Sequence, residues 1–281
     1  MLTPPRLVIV DCDAWSETTF LGTLAPEEVR RAERYQRAIE RHRFVVRRGI
    51  LRRLLAECLG IEPAAVPLVA AGAGKPCIDR TAGALAAAAA ARRGCDIPGF
   101  NLSRSGPMAL VALAMPSGPA TGAARTGPAI GVDLEAVACD RRSREDLLRI
   151  GDRFAPAETH WLAALPAAEA TAAFYRLWTC KEACLKSLGT GIGAGVPSLA
   201  DVACVDPPSA ALTSMAWRDG GIAWHVRCFA PAPGHAAAVA LPTSAGDLPT
   251  RVSAERLEPA AAERRVMPAV GPPPARAPEG P

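Results

Sequence analysis

Short apolar runs and helix-spaced apolar positions follow one another along this chain. Leu7, Val8, Ile9 and Val10 run straight into Asp11, and this pattern predicts a strand over residues 6–12. Residues 26–60 predict two helices, the second with Phe44, Val45, Ile50, Leu51, Leu54 and Leu55 along one face. Strands are predicted at 108–114 and 128–134, the latter entering Asp133-Leu134-Glu135. Residues 156–188 predict helices again, the longer passing through Phe174, Trp178 and Leu185. Residues 201–205, 222–229 and 236–241 are strand-like and close the second half. Met108–Met115 finds a faint echo in Ala236–Leu241, each an apolar strand after a Gly-containing turn, which makes two similar halves plausible.

Breaks in composition divide this pattern. Pro116–Thr126 is a Gly/Pro/Ala/Ser linker near the midpoint, and Ala84–Arg93 reads as a helical or loose surface insertion. From Thr243 to Pro281 the chain is rich in Pro, Ala, Glu and Arg and has no Phe, Trp or Tyr. Such a stretch cannot bury enough apolar surface to offset its ordering, so a disordered tail is expected. The expected organisation is an N-terminal subdomain over 1–120, a C-terminal subdomain over 127–242 and a tail over 243–281.

The 281 residues leave room for a sizeable core, and with aromatics at 5% that core must come from Leu, Val, Ala and Ile. A net charge of +4 is too small to point to a polyanion. The apolar run at 7–10 is too short for a signal peptide, and the Ala-rich run near 84–91 falls far below the roughly 20 residues a bilayer needs. Membrane and secreted classes are therefore disfavoured and a cytoplasmic protein is expected. Nine cysteines, an odd number with no Cys-x-x-Cys pair, fit free and mostly buried thiols.

The basic residues carry more information. Of 32, only Lys75, Lys181 and Lys186 are lysine, and the chain's one Asn is Asn101. A chain that has drifted so far towards Arg keeps Lys where a compact ammonium is needed. In Gly131-Val132-Asp133-Leu134-Glu135 the two carboxylates point to one side of a strand. Their repulsion is resolved by a hard divalent cation, although a surface Asp-x-Glu pair alone carries little weight. Glu182 and Lys186 share a helix face at i and i+4, with Trp178 one turn earlier. The segment Arg30–Arg53 holds ten Arg but almost no aromatics beyond Tyr35 and Phe44, which favours a compact phosphorylated ligand over a nucleic acid.

In order, Gly-Lys-Pro, Phe-Asn-Leu-Ser-x-Ser-Gly, Gly-Val-Asp-Leu-Glu, Phe-x-x-x-Glu and Trp-x-x-Lys-Glu-Ala-x-x-Lys resemble the 4′-phosphopantetheinyl transferases of the surfactin-synthetase-activating type. The resemblance spans about Leu24–Leu241. It implies an α+β fold of two similar α/β subdomains related by a pseudo-twofold, a monomer with coenzyme A in the cleft between them. The implied reaction is Mg²⁺-dependent transfer of phosphopantetheine to a serine of an acyl or peptidyl carrier protein, of a fatty-acid, polyketide or nonribosomal-peptide synthase. By resemblance Asp133, Glu135 and Glu182 match the Mg²⁺ carboxylates, and Glu182 also the base that deprotonates the carrier serine. Lys186 would stabilise phosphoryl charge, Lys75 and Pro76 would hold the nucleotide end, Arg31 and Arg52 the 3′-phosphate, and Ser103 with Arg104 would face the phosphates.

Three departures stand out. Arg104 replaces a usual His and cannot titrate near neutral pH. Glu28 stands where a basic residue is common, with Arg30 nearby to compensate, and the Ala-rich insertion follows Lys75. They leave a second reading, a relative that binds coenzyme A or a carrier protein without turnover. A basic nucleic-acid-binding module is a weaker third.

Overall fold

The computed structural model describes residues 4–70, 75–79, 96–116, 125–137, 142–189, 198–205, 214–217, 220–245, 248 and 252–259. The chain opens with β1 (Arg6–Asp11), then α1 (Thr18–Leu21), α2 (Pro26–Glu33) and α3 (Ala38–Leu59). A short hairpin, β2 (Leu68–Ala70) and β3 (Pro76–Ile78), leads to a longer one, β4 (Gly99–Ser105) and β5 (Met108–Ala114). The second half repeats the plan with β6 (Gly131–Ala136), α4 (Arg144–Gly151), α5 (Pro156–Ala164) and α6 (Ala167–Leu188). It continues through β7 (Val202–Cys204), β8 (Ser214–Trp217), β9 (Ile222–Phe229) and β10 (His235–Pro242), and β11 (Glu255–Arg256) follows.

One sheet runs β11-β1-β5-β4 and the other β6-β10-β9-β8-β7. Their common part is the same: in β1-β5-β4 and in β6-β10-β9 the opening strand pairs antiparallel with the second strand of the later hairpin. Each of those hairpins turns on a glycine with positive φ, Gly106 at 57° and Gly234 at 70°, where a side chain would be strained. The echo between 108–115 and 236–241 is therefore an equivalence of β5 and β10.

Helix signals repeat as well. α2 begins Ala25-Pro26-Glu27-Glu28 and α5 begins Ala155-Pro156-Ala157-Glu158. Each has Pro at the first position, where its missing N–H costs nothing, and a Glu whose carboxylate accepts the N-cap amide, at 3.1 Å for Ala25 and 3.0 Å for Ala155. The 22-residue helices α3 and α6 both stop at a left-handed glycine, Gly60 and Gly189.

Three clusters form the core. α3 packs on β1 and β5 through Val45, Ile50, Leu54 and Leu55 against Val8, Val10 and Val111. α6 packs on β9 and β10 through Leu177, Cys180 and Cys184 against Val226, Ala238 and Ala240. Between the sheets, Leu7, Ile9 and Leu110 meet Val132, Leu134 and Val239. The layers run helix, sheet, sheet, helix, and each fully buried Leu or Ile contributes about 1.5–3 kcal/mol.

Several expectations need correction. The strand expected at 128–134 begins at Gly131 and extends to Ala136. Part of the tail expected to be disordered from residue 243 instead joins the fold, at residues 243–245, 248 and 252–259. Leu248 is buried, Leu257 packs on the α3 cluster, and β11 pairs in parallel with β1, with Leu257 N–H donating to Ile9 O at 3.0 Å. Composition missed this because two strand residues and two leucines suffice to use an edge that β1 leaves open. Residues 260–281 lie outside the described residues, as do all of Ala84–Arg93 and most of the linker. The linker's end is pinned, with Arg125 bonding Asp96 at 2.6 Å and Thr126 bridging Ile97. Of the cysteines among the described residues, Cys12, Cys180 and Cys184 are buried, while Cys58, Cys77, Cys204 and Cys228 are partly buried.

Candidate active site

The seam between the halves gathers the chain's chemistry. β6 turns Val132 and Leu134 into the core between the sheets and Asp133 and Glu135 to its other face, towards α6. α6 comes close because residue 131 is glycine: a Cβ there would lie 1.8 Å from the Ala183 carbonyl oxygen and 2.6 Å from the Ser187 nitrogen. That approach brings Glu182 and Lys186 to the two β6 carboxylates.

Asp133 is 2% exposed. Its Oδ1 accepts from Lys186 Nζ at 2.5 Å and from Ser103 Oγ at 3.0 Å, while its Oδ2 is buried without a partner. Glu135 accepts from the Trp178 indole at 3.2 Å and from Ser105 Oγ at 3.4 Å. Burial pushes the Glu135 carboxyl above its usual range and repulsion from Asp133 adds to it, against the Trp178 hydrogen bond and Lys186. Glu182 is raised in the same way, first by burial, then by Asp133 and Glu135, with Lys186 opposing. Three carboxylates thus feel the charge of one ammonium, and Asp133 is the one that pairs with it.

No three His, Cys, Asp or Glu side chains among the described residues form a ready-made cation cage, and Lys186 takes one Asp133 oxygen. The donor chemistry nevertheless fits a hard divalent ion. An unpartnered buried carboxylate oxygen costs on the order of 1–3 kcal/mol, more when charged, which a cation would remove. Mg²⁺ takes few protein oxygens and fills its shell with water and phosphate.

The N-terminal half contributes from β3 and β4. Lys75, just before Pro76 at the start of β3, donates to the Lys186 carbonyl oxygen at 2.5 Å, and Asn101 Nδ2 approaches the same oxygen at 3.4 Å. Burial, then Lys186, pulls the Lys75 ammonium below its usual range. Lys75, Ser103, Asp133, Glu135, Glu182 and Lys186 therefore meet.

Arg52, Arg31 and Arg104 do not. Arg52 is 1% exposed and is held inside the N-terminal half, its Nε bonding Glu28 at 2.5 Å and its Nη1 the carbonyls of Pro63, Ala64 and Val66 at 2.8–3.1 Å. The same contacts explain Glu28: it ties α2 to α3 through Arg52 and Arg48 rather than standing in for a basic ligand residue. Arg31 lies exposed on α2, its guanidinium 5.3 Å from the Phe44 ring centre. Arg104 cannot share a direction with Ser103, because neighbours on a strand face opposite ways. It lies on the α3 face of β4 with Phe100 and Leu102, near Arg47. Burial depresses the Arg47 guanidinium and the like charge of Arg104 adds to it, and the Arg47 Nη1 is buried without a partner.

Sequence reasoning passed over Ser105, Trp178 as a Glu135 donor, and Arg47 as an individual. The alternation of Asn101, Ser103 and Ser105 against Phe100 and Leu102 was the available signal for the first. It was obscured because Gly, Asn and Ser are poor strand formers.

Comparison with known proteins places this geometry in a family context. The model of the 4′-phosphopantetheinyl transferase superfamily matches residues 129–240, from just before β6 to β10. A Synechocystis sp. protein assigned to the 4′-phosphopantetheinyl transferases is 33% identical over 198 residues, 70% of this chain and 69% of its own. The 4′-phosphopantetheinyl transferase HetI of Nostoc sp. is 37% identical over 175 residues, 61% of this chain and 62% of its own. A phosphopantetheinyl transferase of Thraustochytrium sp. is 29% identical over 184 residues, 62% of this chain and 55% of its own.

Proposed function

The chain belongs to the 4′-phosphopantetheinyl transferase superfamily, and from that premise we propose that its seam moves the phosphopantetheine of coenzyme A onto a serine of an apo acyl or peptidyl carrier protein. Adenosine 3′,5′-bisphosphate is the second product. The observation that carries this reading is the meeting of three carboxylates from β6 and α6 with Lys186 and Lys75 beside an unpartnered Asp133 Oδ2.

In this reading Asp133, Glu135 and Glu182 hold Mg²⁺, which when bound supplies charge neutralisation at the pyrophosphate. Lys186 sits within reach of the transferred phosphoryl and offsets negative charge there. Glu182, held more basic than an ordinary carboxylate by burial and by its neighbours, takes the proton of the carrier serine. Lys75 closes the nucleotide side of the seam next to the end of α6. On the far face of β4 the exposed Arg104, with the charge of the buried Arg47 behind it, offers a second cationic point, suited to the other phosphate of a coenzyme A that spans the strand. Arg104 in place of His thus lies away from the phosphoryl-transfer carboxylates, which weakens the reading of a relative that binds without turnover. The chain is taken to work as a cytoplasmic monomer, and no helix among the described residues is long and apolar enough to cross a membrane.

The test is intact-mass spectrometry of apo carrier proteins incubated with the protein, coenzyme A and Mg²⁺, with and without EDTA. The expected result is one phosphopantetheine mass added, lost with EDTA and lost in Asp133→Asn and Glu182→Gln. Full transfer in EDTA or in either variant would sink the carboxylate assignment.

A further inference from the structure

β6 is the outer strand of its sheet, and its N–H groups at Val132, Leu134 and Ala136 face away from β10. An edge strand inside a folded chain must satisfy these donors. Among the described residues no neighbouring backbone does so. Asn101 Oδ1 accepts from Val132 at 3.4 Å, Ser103 Oγ from Leu134 at 3.2 Å and Ser105 Oγ from Ala136 at 2.9 Å. The offset is 31 residues at every rung, so alternate side chains of β4 step in register along β6. Side chains stand where a paired strand's carbonyls would be.

The two serine rungs do a second thing. Each hydroxyl that accepts a β6 amide donates its proton to the carboxylate one residue earlier, Ser103 to Asp133 at 3.0 Å and Ser105 to Glu135 at 3.4 Å. Ser103 also accepts from Lys186 at 3.0 Å, which uses its one donor and two acceptor directions. Ser105 has no such ammonium. Besides the Ala136 amide it serves Glu135, whose other oxygen is held by Trp178 on α6. Glu135 is thereby stretched between the two halves of the molecule, by a hydroxyl from β4 and an indole from α6.

We propose that Ser105 is a positioning residue, which through the Ala136 amide and the Glu135 carboxylate sets the aim of Glu135 towards a divalent cation. It touches neither substrate nor cation. The proposal rests on the metal reading of the seam given above and extends it to a residue outside the carboxylate set. Partners of a ligating carboxylate typically carry about a 10–100-fold share of metal affinity.

The test uses Mn²⁺ as the probe, titrated into the full-length protein saturated with coenzyme A, with free Mn²⁺ read by electron paramagnetic resonance. Ser105→Ala is expected to raise the Mn²⁺ dissociation constant roughly tenfold or more. Ser105→Thr, which keeps the hydroxyl, restores it, and the KM for the carrier protein stays as in the unsubstituted protein. Tight Mn²⁺ binding by the unsubstituted protein and by Ser105→Ala alike overturns this proposal alone. A loss that Ser105→Thr fails to restore, in step with a lowered Tm, also overturns it, since it marks a merely structural serine. Absence of Mn²⁺ binding by the unsubstituted protein overturns the metal reading together with it.

Discussion

Arg52 and Lys181 occupy matching places in the two halves and are, among the described residues, the cations most fully withdrawn from water. Arg52 on α3 pairs with Glu28 and with three carbonyls, and Lys181 on α6 pairs with Glu158 and donates to the Leu199 and Val202 carbonyls. Three donors on an ammonium meet three acceptors at Lys181, and a forked guanidinium serves four at Arg52. In both cases the carboxylate is also the one that caps the preceding helix. Removing the cation strands that carboxylate in the core, so Arg52→Met and Lys181→Met are each expected to lower unfolding stability by about 3–5 kcal/mol. Urea denaturation measures this, and Arg31→Ala, exposed on α2, serves as the control that should barely move. A Arg52→Met protein with ordinary stability and weakened coenzyme A binding would return Arg52 to the ligand site. The rarity of lysine drew attention to Lys181 with good reason but for chemistry it does not perform. Sequence spacing cannot tell a cation that meets a ligand from one that meets backbone carbonyls brought in from a distant loop.

At the level of elements, the site depends on how closely β6 and α6 approach. Gly131 has no φ that demands glycine; what it supplies is the missing Cβ opposite the Ala183 carbonyl. Gly131→Ala must push α6 away from β6, which separates Glu182 and Lys186 from Asp133. A displacement near 1 Å is enough to cost about a hundredfold in rate when catalytic groups act together. Single-turnover transfer should fall by that order, while Gly22→Ala, where nothing lies within 4 Å of the new methyl, should leave the rate intact. A Gly131→Ala protein with an unchanged single-turnover rate would show that the helix can give way without disturbing the site. The motif Gly-Val-Asp-Leu-Glu was legible as a pair of carboxylates on a strand. The reason for its glycine was not, because close approach is a property of two elements and not of either alone. β4 was missed as a strand for a related reason: its polar residues work across the seam, where local propensity has no voice.

At the scale of the whole molecule, two copies of one plan leave two equivalent open edges, and the chain treats them differently. The edge of β6 receives the side chains of β4 and becomes the site. The edge of β1 receives β11, with Glu255 bonding Arg6 at 3.3 Å and Leu257 packed on the α3 cluster. The returning segment therefore closes on one half the edge that the other half uses for chemistry. The duplication itself was visible in the sequence only as a weak echo, since the shared features are caps, turns and pairing order, which few residues encode. The consequence is a division of labour for the C-terminal segment. Among the described residues, none of 243–259 bonds to a carboxylate or lysine of the site, so its removal should act on stability and not on the transfer step. Ending the chain at residue 242 uncovers the β1 edge and the buried Leu248, a loss of a few kcal/mol on the scale of one buried leucine plus its strand contacts. Ending it at residue 259 keeps every contact described. The shorter protein should melt earlier and associate through its bare edge in light scattering, with the transfer rate per folded molecule preserved, and the longer one should match the full chain. Equal melting of all three would mean that β11 contributes nothing to the sheet it extends.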